Sequence, residues 1–213
     1  AKSPIEAFVS IQSELRAYRM RAVPPEESLT YSIGCVNAGS KPNIIPSELS
    51  FAGTMRCTDN DNGLAFREFF KTACARIAEE YGCTAEFVED QYIPVAMNNK
   101  ELVDLARHAV VNTLGEDALD PDCPMWMASE TFAVIQTAYP SVLFFTGIQD
   151  AEVGSGAPHH TPEFDLSEDG LVAGVGAALA FILAALREKP ATPSFKASDL
   201  DTVLEMFDPD NRK

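Results

Sequence analysis

Apolar positions recur along this chain at two different periods, and the changes between them mark its elements. Ile5, Phe8, Val9 and Leu15 follow the i, i+3, i+4 spacing with Gln12 as a polar interruption, which predicts an amphipathic helix over residues 3–20. Ser3-Pro4-Ile5-Glu6 reads as a capping box with proline at the first helical position, so that helix starts almost at once. Pro24-Pro25 ends any continuation. Leu29, Tyr31, Ile33 and Cys35 then alternate with Thr30, Ser32 and Gly34, and Leu49, Phe51 and Met55 alternate with Ser50, Ala52, Thr54 and Arg56. That period of two predicts a pair of half-buried strands, joined by the turn-rich stretch Asn37 to Asn43.

The helical period returns at Phe66, Phe69, Phe70, Ala73, Cys74 and Ile77, with Asp59 or Asp61 as the cap and Gly82 as the left-handed stop. A third strand is expected at about 84–92. The order helix, strand, strand, helix, strand is a split βαβ unit without its opening strand, which predicts an antiparallel sheet with both helices on one face. From Asn98 a new pattern begins, with Pro94 marking the boundary. Asn98 and Glu101 read as a second capping box, and Leu102, Leu105, Ala106, Ala109 and Val110 carry a helix to Gly115. Ser129 is expected to cap a short helix. Ser141 to Gly147 reads as a buried strand because its apolar run is continuous, residues 148–165 as a long glycine-rich loop, and Ser167 as the cap of a last core helix to about Arg187. One strand cannot make a sheet, so this second half is expected to need partner strands from elsewhere.

Composition narrows the functional classes. The chain has 213 residues, 46% apolar and 23% charged, which is ordinary globular composition. With 16 basic against 32 acidic residues the net charge is −16, which repels phosphate backbones and anionic membranes, so neither nucleic acid nor membrane is an expected partner. The apolar run Leu171 to Leu186 falls short of the roughly 20 residues that span a bilayer, and a buried helix is expected there. Five cysteines without metal-ligand spacing read as reduced thiols, which leans towards the cytoplasm. The first residues carry no leader pattern and look like the middle of a longer protein.

Chemistry-bearing residues are few. His159-His160-Thr161-Pro162, with Phe164-Asp165, follows the expected strand, where α/β folds place ligands. Imidazole is a common metal ligand, but two histidines in a Gly/Pro loop also suit a polar surface. Arg56 falls on the strand face opposite Leu49, Phe51 and Met55, free either to grip a carboxylate or merely to meet solvent. Asn43 beside Ile44-Ile45-Pro46 suits a turn. Glu130 is placed at a helix start, where the dipole favours a carboxylate. His108 sits among apolar neighbours on a helix and reads as structural.

Taken together, Pro42-Asn43-Ile44-Ile45-Pro46, Gly53-Thr54-Met55-Arg56, Met127-Ala128-Ser129-Glu130-Thr131-Phe132 and His160-Thr161-Pro162-Glu163-Phe164-Asp165 resemble the co-catalytic metallopeptidase family of hippurate hydrolases, aminoacylases, carboxypeptidases and indole-acetyl-amino-acid amidohydrolases. The resemblance runs from about Ser3 to Arg187. It implies an α/β fold with an α+β lid: a ferredoxin-like split βαβ lid and dimerisation domain lacking its first strand over residues 1–93, the C-terminal part of the catalytic α/β domain over 94–189, and a linker with a truncated helical tail over 190–213. His160 would be a metal ligand, Asn43 and Arg56 would hold the substrate's carboxylate or its oxyanion, and Glu130 would support the site or serve the fold. No residue of this chain is assigned a catalytic role. The implied cofactor is a divalent metal, zinc or manganese, two ions in the complete enzyme and none retained by this chain. The implied substrate is a small N-acyl or N-aryl amino acid, cleaved by a metal-activated water, and the implied partner is a second copy through the lid. Thr131 stands where the family has Asp, and the other ligands and the general base fall outside the resemblance. The expectation is the C-terminal part of an amidohydrolase, inactive alone, with a non-catalytic dimerisation or ligand-sensing module as the alternative.

Overall fold

A computed structural model describes residues 2–88, 91–120 and 122–207. The chain forms two compact units, one running through Val95 and including Trp126–Glu130 and the residues from Leu204, the other comprising Ala96–Met125 and Thr131–Val203.

In the first unit, helix α1 (Pro4–Ala22) starts where the sequence places it, with Ser3 Oγ accepting from Glu6 N at 3.3 Å and Pro4 inside the first turn. Its buried stripe is Ala7, Ile11 and Leu15; Ile5 and Val9, expected on that stripe, are exposed. The face that meets the sheet is turned towards Phe8, which packs on Phe51 with ring centroids 5.0 Å apart. Strands β1 (Leu29–Ala38) and β2 (Leu49–Cys57) pair antiparallel, with Gly34 the extra residue of a bulge between Ile33 and Cys35. Helix α2 (Asn60–Glu80) is capped by Asp59, whose Oδ1 accepts from Asn62 N at 2.9 Å. It ends in a Schellman closure, with Gly82 at φ 69°, Gly82 N donating to Glu79 O and Cys83 N donating to Ala78 O.

Leu15, Leu29, Phe66, Ala73, Cys74 and Ile77 form one buried cluster between the helices and the hairpin. The third strand expected at 84–92 is not a strand over its described residues: among the described residues the sheet has two strands, β1 and β2. Residues 84–88 instead run alongside, Ala85 against the core and Phe87 edge-on to Phe70 at 5.9 Å. Residues 89–90 lie outside the described residues. The described residues of this segment keep their apolar contacts and make no ladder with either free edge of the hairpin. Tyr92 ties the segment down: its hydroxyl reaches Asn60 Oδ1 at 3.0 Å and Cys57 Sγ at 3.6 Å, while Val95 N donates to Asn60 Oδ1 at 2.8 Å. Burial pushes both the Tyr92 phenol and the Cys57 thiol up, so both stay neutral.

The second unit is built on helices α3 (Lys100–Leu114), α4 (Phe132–Ala138) and α5 (Asp169–Glu188), with a 3-10 turn at Glu116–Ala118. The cap of α3 is Asn99, one residue beyond the expected Asn98, with its Oδ1 accepting from Leu102 N at 3.1 Å. Asn98 is drawn to other work described below. Two further expected caps are displaced: α4 is preceded by Thr131 and α5 by Glu168, neither with a side-chain cap bond. Ser129 lies too early, and Ser167 donates its backbone N–H to Ile148 O at 2.9 Å.

Residues 141–147 belong to no helix and to no sheet among the described residues, and Phe144 and Phe145 are exposed. Helix α5 also departs from the expected core helix. Long and apolar enough by composition to cross a bilayer, with a mean hydropathy of 2.1 over its best window, it is only 11% buried over that window. One face of α5 packs closely. A Cβ on Gly170 would meet Gly147 O and Ile148, and one on Gly174 would meet Thr146. The other face, carrying Leu171, Val175, Leu179, Ile182 and Leu186, is exposed, with nothing among the described residues packed over it. After α5 the chain returns across its own unit: Ser194 bonds Glu101 and Asn99, Ser198 N donates to Thr137 O at 2.9 Å, and Asp199 Oδ1 accepts from Thr202 N at the start of α6 (Leu200–Phe207). Residues 208–213 lie outside the described residues.

Candidate functional site

The candidate residues divide between the units. Asn43 is exposed in the turn connecting β1 to β2, between exposed Ile44 and Lys41, whose carbonyl accepts from Ile44 N at 3.3 Å. Arg56 is half-buried near the other end of β2, opposite Thr30. Phe51 and Met55 pack against the core, so Arg56 projects from the other face with Ser50, Ala52 and Thr54, as the alternation predicts. Arg56 lies seven residue steps along the strand from Leu49, about 23 Å at 3.3 Å per step, so the hairpin holds the two polar groups at its opposite ends. Glu130 is half-buried just ahead of Thr131 and α4, outside any helix.

His160 belongs to the second unit, in the loop that leaves residues 141–147. The loop is laced at its base rather than loose. Ser155, buried, donates Oγ to Ile148 O at 3.0 Å and accepts from Asp150 N at 2.7 Å, while Ser167 N bonds the same Ile148 carbonyl. Gly156 at φ 129° lies against the Gln149 side chain, where a Cβ would collide. Above this base His160 is exposed at φ 65°, one of only two non-glycine residues with positive φ among those described. Thr161 Oγ1 closes the turn on Pro158 O at 2.8 Å, and His159 packs on Phe164 at 5.0 Å. A bulky side chain held in the left-handed region costs energy that the surrounding fold must offset, and such positions cluster at functional sites.

Two residues position this loop in roles that sequence reasoning did not assign them, Asn98 having been read only as a helix cap. Asn98 clamps Leu143 from both sides of its peptide, with Oδ1 accepting from Leu143 N at 2.7 Å and Nδ2 donating to Leu143 O at 2.8 Å. Gln136 Nε2 also donates to Asn98 Oδ1, and Asn99 N donates to Ser141 O at 3.1 Å. One edge of the segment is thereby occupied at 141 and 143. Ser155 is the second, and its signal was only a serine between glycines.

The described residues do not by themselves make a metal site: no three His, Cys, Asp or Glu side chains converge among them. Three or four ligands are the usual minimum, and His160 offers one. His108 is exposed on α3 and is not part of the loop.

A model of peptidase family M20/M25/M40 matches residues 10–184. Thermostable carboxypeptidase 2 of Saccharolobus solfataricus is 28% identical over 186 residues, covering 86% of this chain and 45% of the relative. Hippurate hydrolase of Campylobacter jejuni is 33% identical over 132 residues, 62% of this chain and 34% of that enzyme. Among solved structures, a putative aminohydrolase from methicillin-resistant Staphylococcus aureus superposes with a TM-score of 0.67 at 26% identity, covering 86% of this chain and 46% of that one. A Bacillus subtilis dinuclear metal-binding peptidase of family M20 gives 0.61 at 27%, covering 85% and 46%. The chain spans about half the length of the relatives it matches.

Proposed function

The chain belongs to peptidase family M20/M25/M40, and on that premise we propose that it is the lid and C-terminal portion of a metal-dependent amidohydrolase acting on N-acyl or N-aryl amino acids. The observation that carries this reading is a family match running through both units and into the strained, laced loop that presents His160. In this proposal Arg56 and Asn43 hold the substrate's carboxylate or the oxyanion that develops on its carbonyl, the interaction that amide hydrolysis needs most. His160 supplies one imidazole to a divalent metal, zinc or manganese. Glu130 supports the start of α4. The first unit is a ferredoxin-like lid short of one strand, through which two copies pair, and residues after 189 are a linker and helical tail.

The remaining ligands would then lie in polypeptide outside these 213 residues. The bare outer face of α5 and the ladderless segment 141–147 support that division, because a sheet and helix layer supplied from elsewhere would cover both. Five free thiols suit a reducing compartment.

Two measurements test the reading. After loading with zinc or manganese and desalting, the purified chain is expected to retain no metal and to leave hippurate uncleaved. Stoichiometric metal or metal-dependent turnover from this chain alone would overturn the division of ligands. A second reading, a non-catalytic dimerisation or ligand-sensing module, is favoured by the solitary candidate ligand. The upstream coding sequence separates the two: an in-frame Asp/Glu/His/Cys ligand set supports the enzyme, and a stop codon or an unrelated domain supports the module.

A further inference from the structure

A groove of about 530 Å³ lies between α1 and β1 in the first unit, and neither Asn43 nor Arg56 lines it. Gln12, Arg16 and Arg19 line it from the helix, and Tyr31 and Ser32 line it from the strand. Met20 and Ile33 add an apolar wall. Positions 12, 16 and 19 are spaced i, i+4, i+7 and therefore share one helix face.

Three observations give this groove one chemical sign. No acidic residue lines it among those described, although acids outnumber bases two to one in the chain. Its two arginines have no carboxylate within 4 Å among the described residues, whereas nearby Arg21 pairs with Glu14 and Arg76 pairs with Glu14 and Glu80. Arg19 uses one N–H, donating Nε to Leu29 O at 2.8 Å, which fixes its guanidinium at the rim and leaves the Nη groups free. Finally, Gln12 Nε2 and Tyr31 Oη are buried and have no hydrogen-bond partner among the described residues. Buried donors left unpaired cost about 1–3 kcal/mol each, so such groups call for an acceptor. Amide N–H, phenol O–H and two guanidinium forks are all donors, and the acceptor that satisfies such a set is an oxyanion.

We propose that the groove between α1 and β1 binds a small organic anion, a carboxylate or phosphate group carried on an apolar body. The two arginines provide the charge, Gln12 and Tyr31 fix the orientation of the oxygens, and Met20 and Ile33 take the apolar part. The volume falls within the range of small-molecule sites and exceeds what a bare ion needs. The site uses none of Asn43, Arg56 or His160, so it stands or falls separately from the hydrolase reading.

The test is thermal stability and heteronuclear NMR of the 213-residue chain titrated with sodium benzoate and, separately, with sodium phosphate, against sodium chloride at matched ionic strength. A saturable rise in Tm with shifts at Gln12, Arg16 and Tyr31 is expected from at least one probe, and the stronger probe tells carboxylate from phosphate. Arg16→Met is expected to weaken that binding at least tenfold. Tyr31→Phe keeps the ring in the core and loses only the hydroxyl, so it folds and is expected to weaken binding several-fold. Absence of saturation with both probes, or unchanged affinity in Arg16→Met, overturns the proposal. A concentration-dependent dimer that Arg16→Met dissociates, with no anion binding in the wild type, also overturns it, because the donors would then serve a second copy.

Discussion

The two units use similar apolar inventories to opposite effect. In the first, two helices and a hairpin close over Leu15, Leu29, Phe66 and Ile77, each no more than 4% exposed. In the second, α5 is more apolar than either of those helices, yet most of its large side chains face outward. Hydrophobicity alone therefore does not bury a helix; a complementary layer must be present. The first unit contains its own layer, and the second offers α5 one helical neighbour, α3, and the segment 141–147 with no ladder among the described residues. Stability should accordingly concentrate in the first unit, and the largest prediction tests that. Leu15→Ala removes a side chain 1% exposed at the centre of a closed core and is expected to cost about 3 kcal/mol. Leu179→Ala, on the 53% exposed face of α5, is expected to stay within about 0.5 kcal/mol. Urea midpoints of the two variants measure the contrast; equal losses would mean that the α5 face is covered in solution.

The next contrast is between close packing within each unit. Gly63 enters the first turn of α2 against Cys57 Sγ and the Tyr92 ring, where an added Cβ would collide with both. Gly63→Ala is expected to cost about 2 kcal/mol despite the better helix propensity of alanine, and faster hydrogen exchange at the Val95 amide, which donates to Asn60, should report a loosened 91–95 segment. In the second unit Asn98→Ala removes three hydrogen bonds around Leu143 from an exposed position and is expected to cost about 1 kcal/mol. Its sharper signature is local: hydrogen exchange at the Leu143 amide should accelerate while exchange in the first-unit core is unchanged. Asn98→Asp, which retains the acceptor and loses the donor, should fall between.

These contrasts also mark what the sequence made legible. Elements whose start and stop are local chemistry were readable: Ser3, Asp59, Gly82 and Gly115 act where their residue types predict. Alternation marked the two strands but not their register: the bulge at Gly34 turns Cys35, expected on the face of Tyr31 and Ile33, outward opposite Ala52. Asn98 was misplaced as a cap because two adjacent asparagines offer the same side chain, and only the long-range demand of Leu143 decides that Asn99 caps while Asn98 clamps. The expected strands at 84–92 and 141–147 failed for a related reason. Apolar pattern reports what a segment could pair with, and pairing needs a neighbour. At the candidate site, the residue types of Asn43, Arg56 and His160 were visible, while the left-handed backbone of His160 and the Ser155 lacing beneath it are tertiary facts that spacing does not encode.

The smallest expected effect concerns the return of the chain over the second unit. Ser194 donates its Oγ to Glu101 Oε2 at 2.5 Å and its N–H to Oε1 at 3.2 Å, and Asn99 Nδ2 donates to the same carboxylate. The Ser194 hydroxyl, above all, holds the Glu101 carboxyl below its ordinary value of 4.5. A carboxylate with a depressed folded value adds stability that is complete above about pH 4.5 and fades as pH falls through the folded value. The Ser194 amide should therefore be protected from exchange, after correction for intrinsic rates, at neutral pH and lose that protection below about pH 4.5, ahead of any change at Leu15. Glu101→Gln retains a carbonyl for one bond and removes the titration, so its protection should be weaker and flat through this range. If the wild-type profile is also flat, the tail is held by Ser198 and Thr137 and not by the charge on Glu101, and the strap would be as pH-indifferent as the core of the first unit.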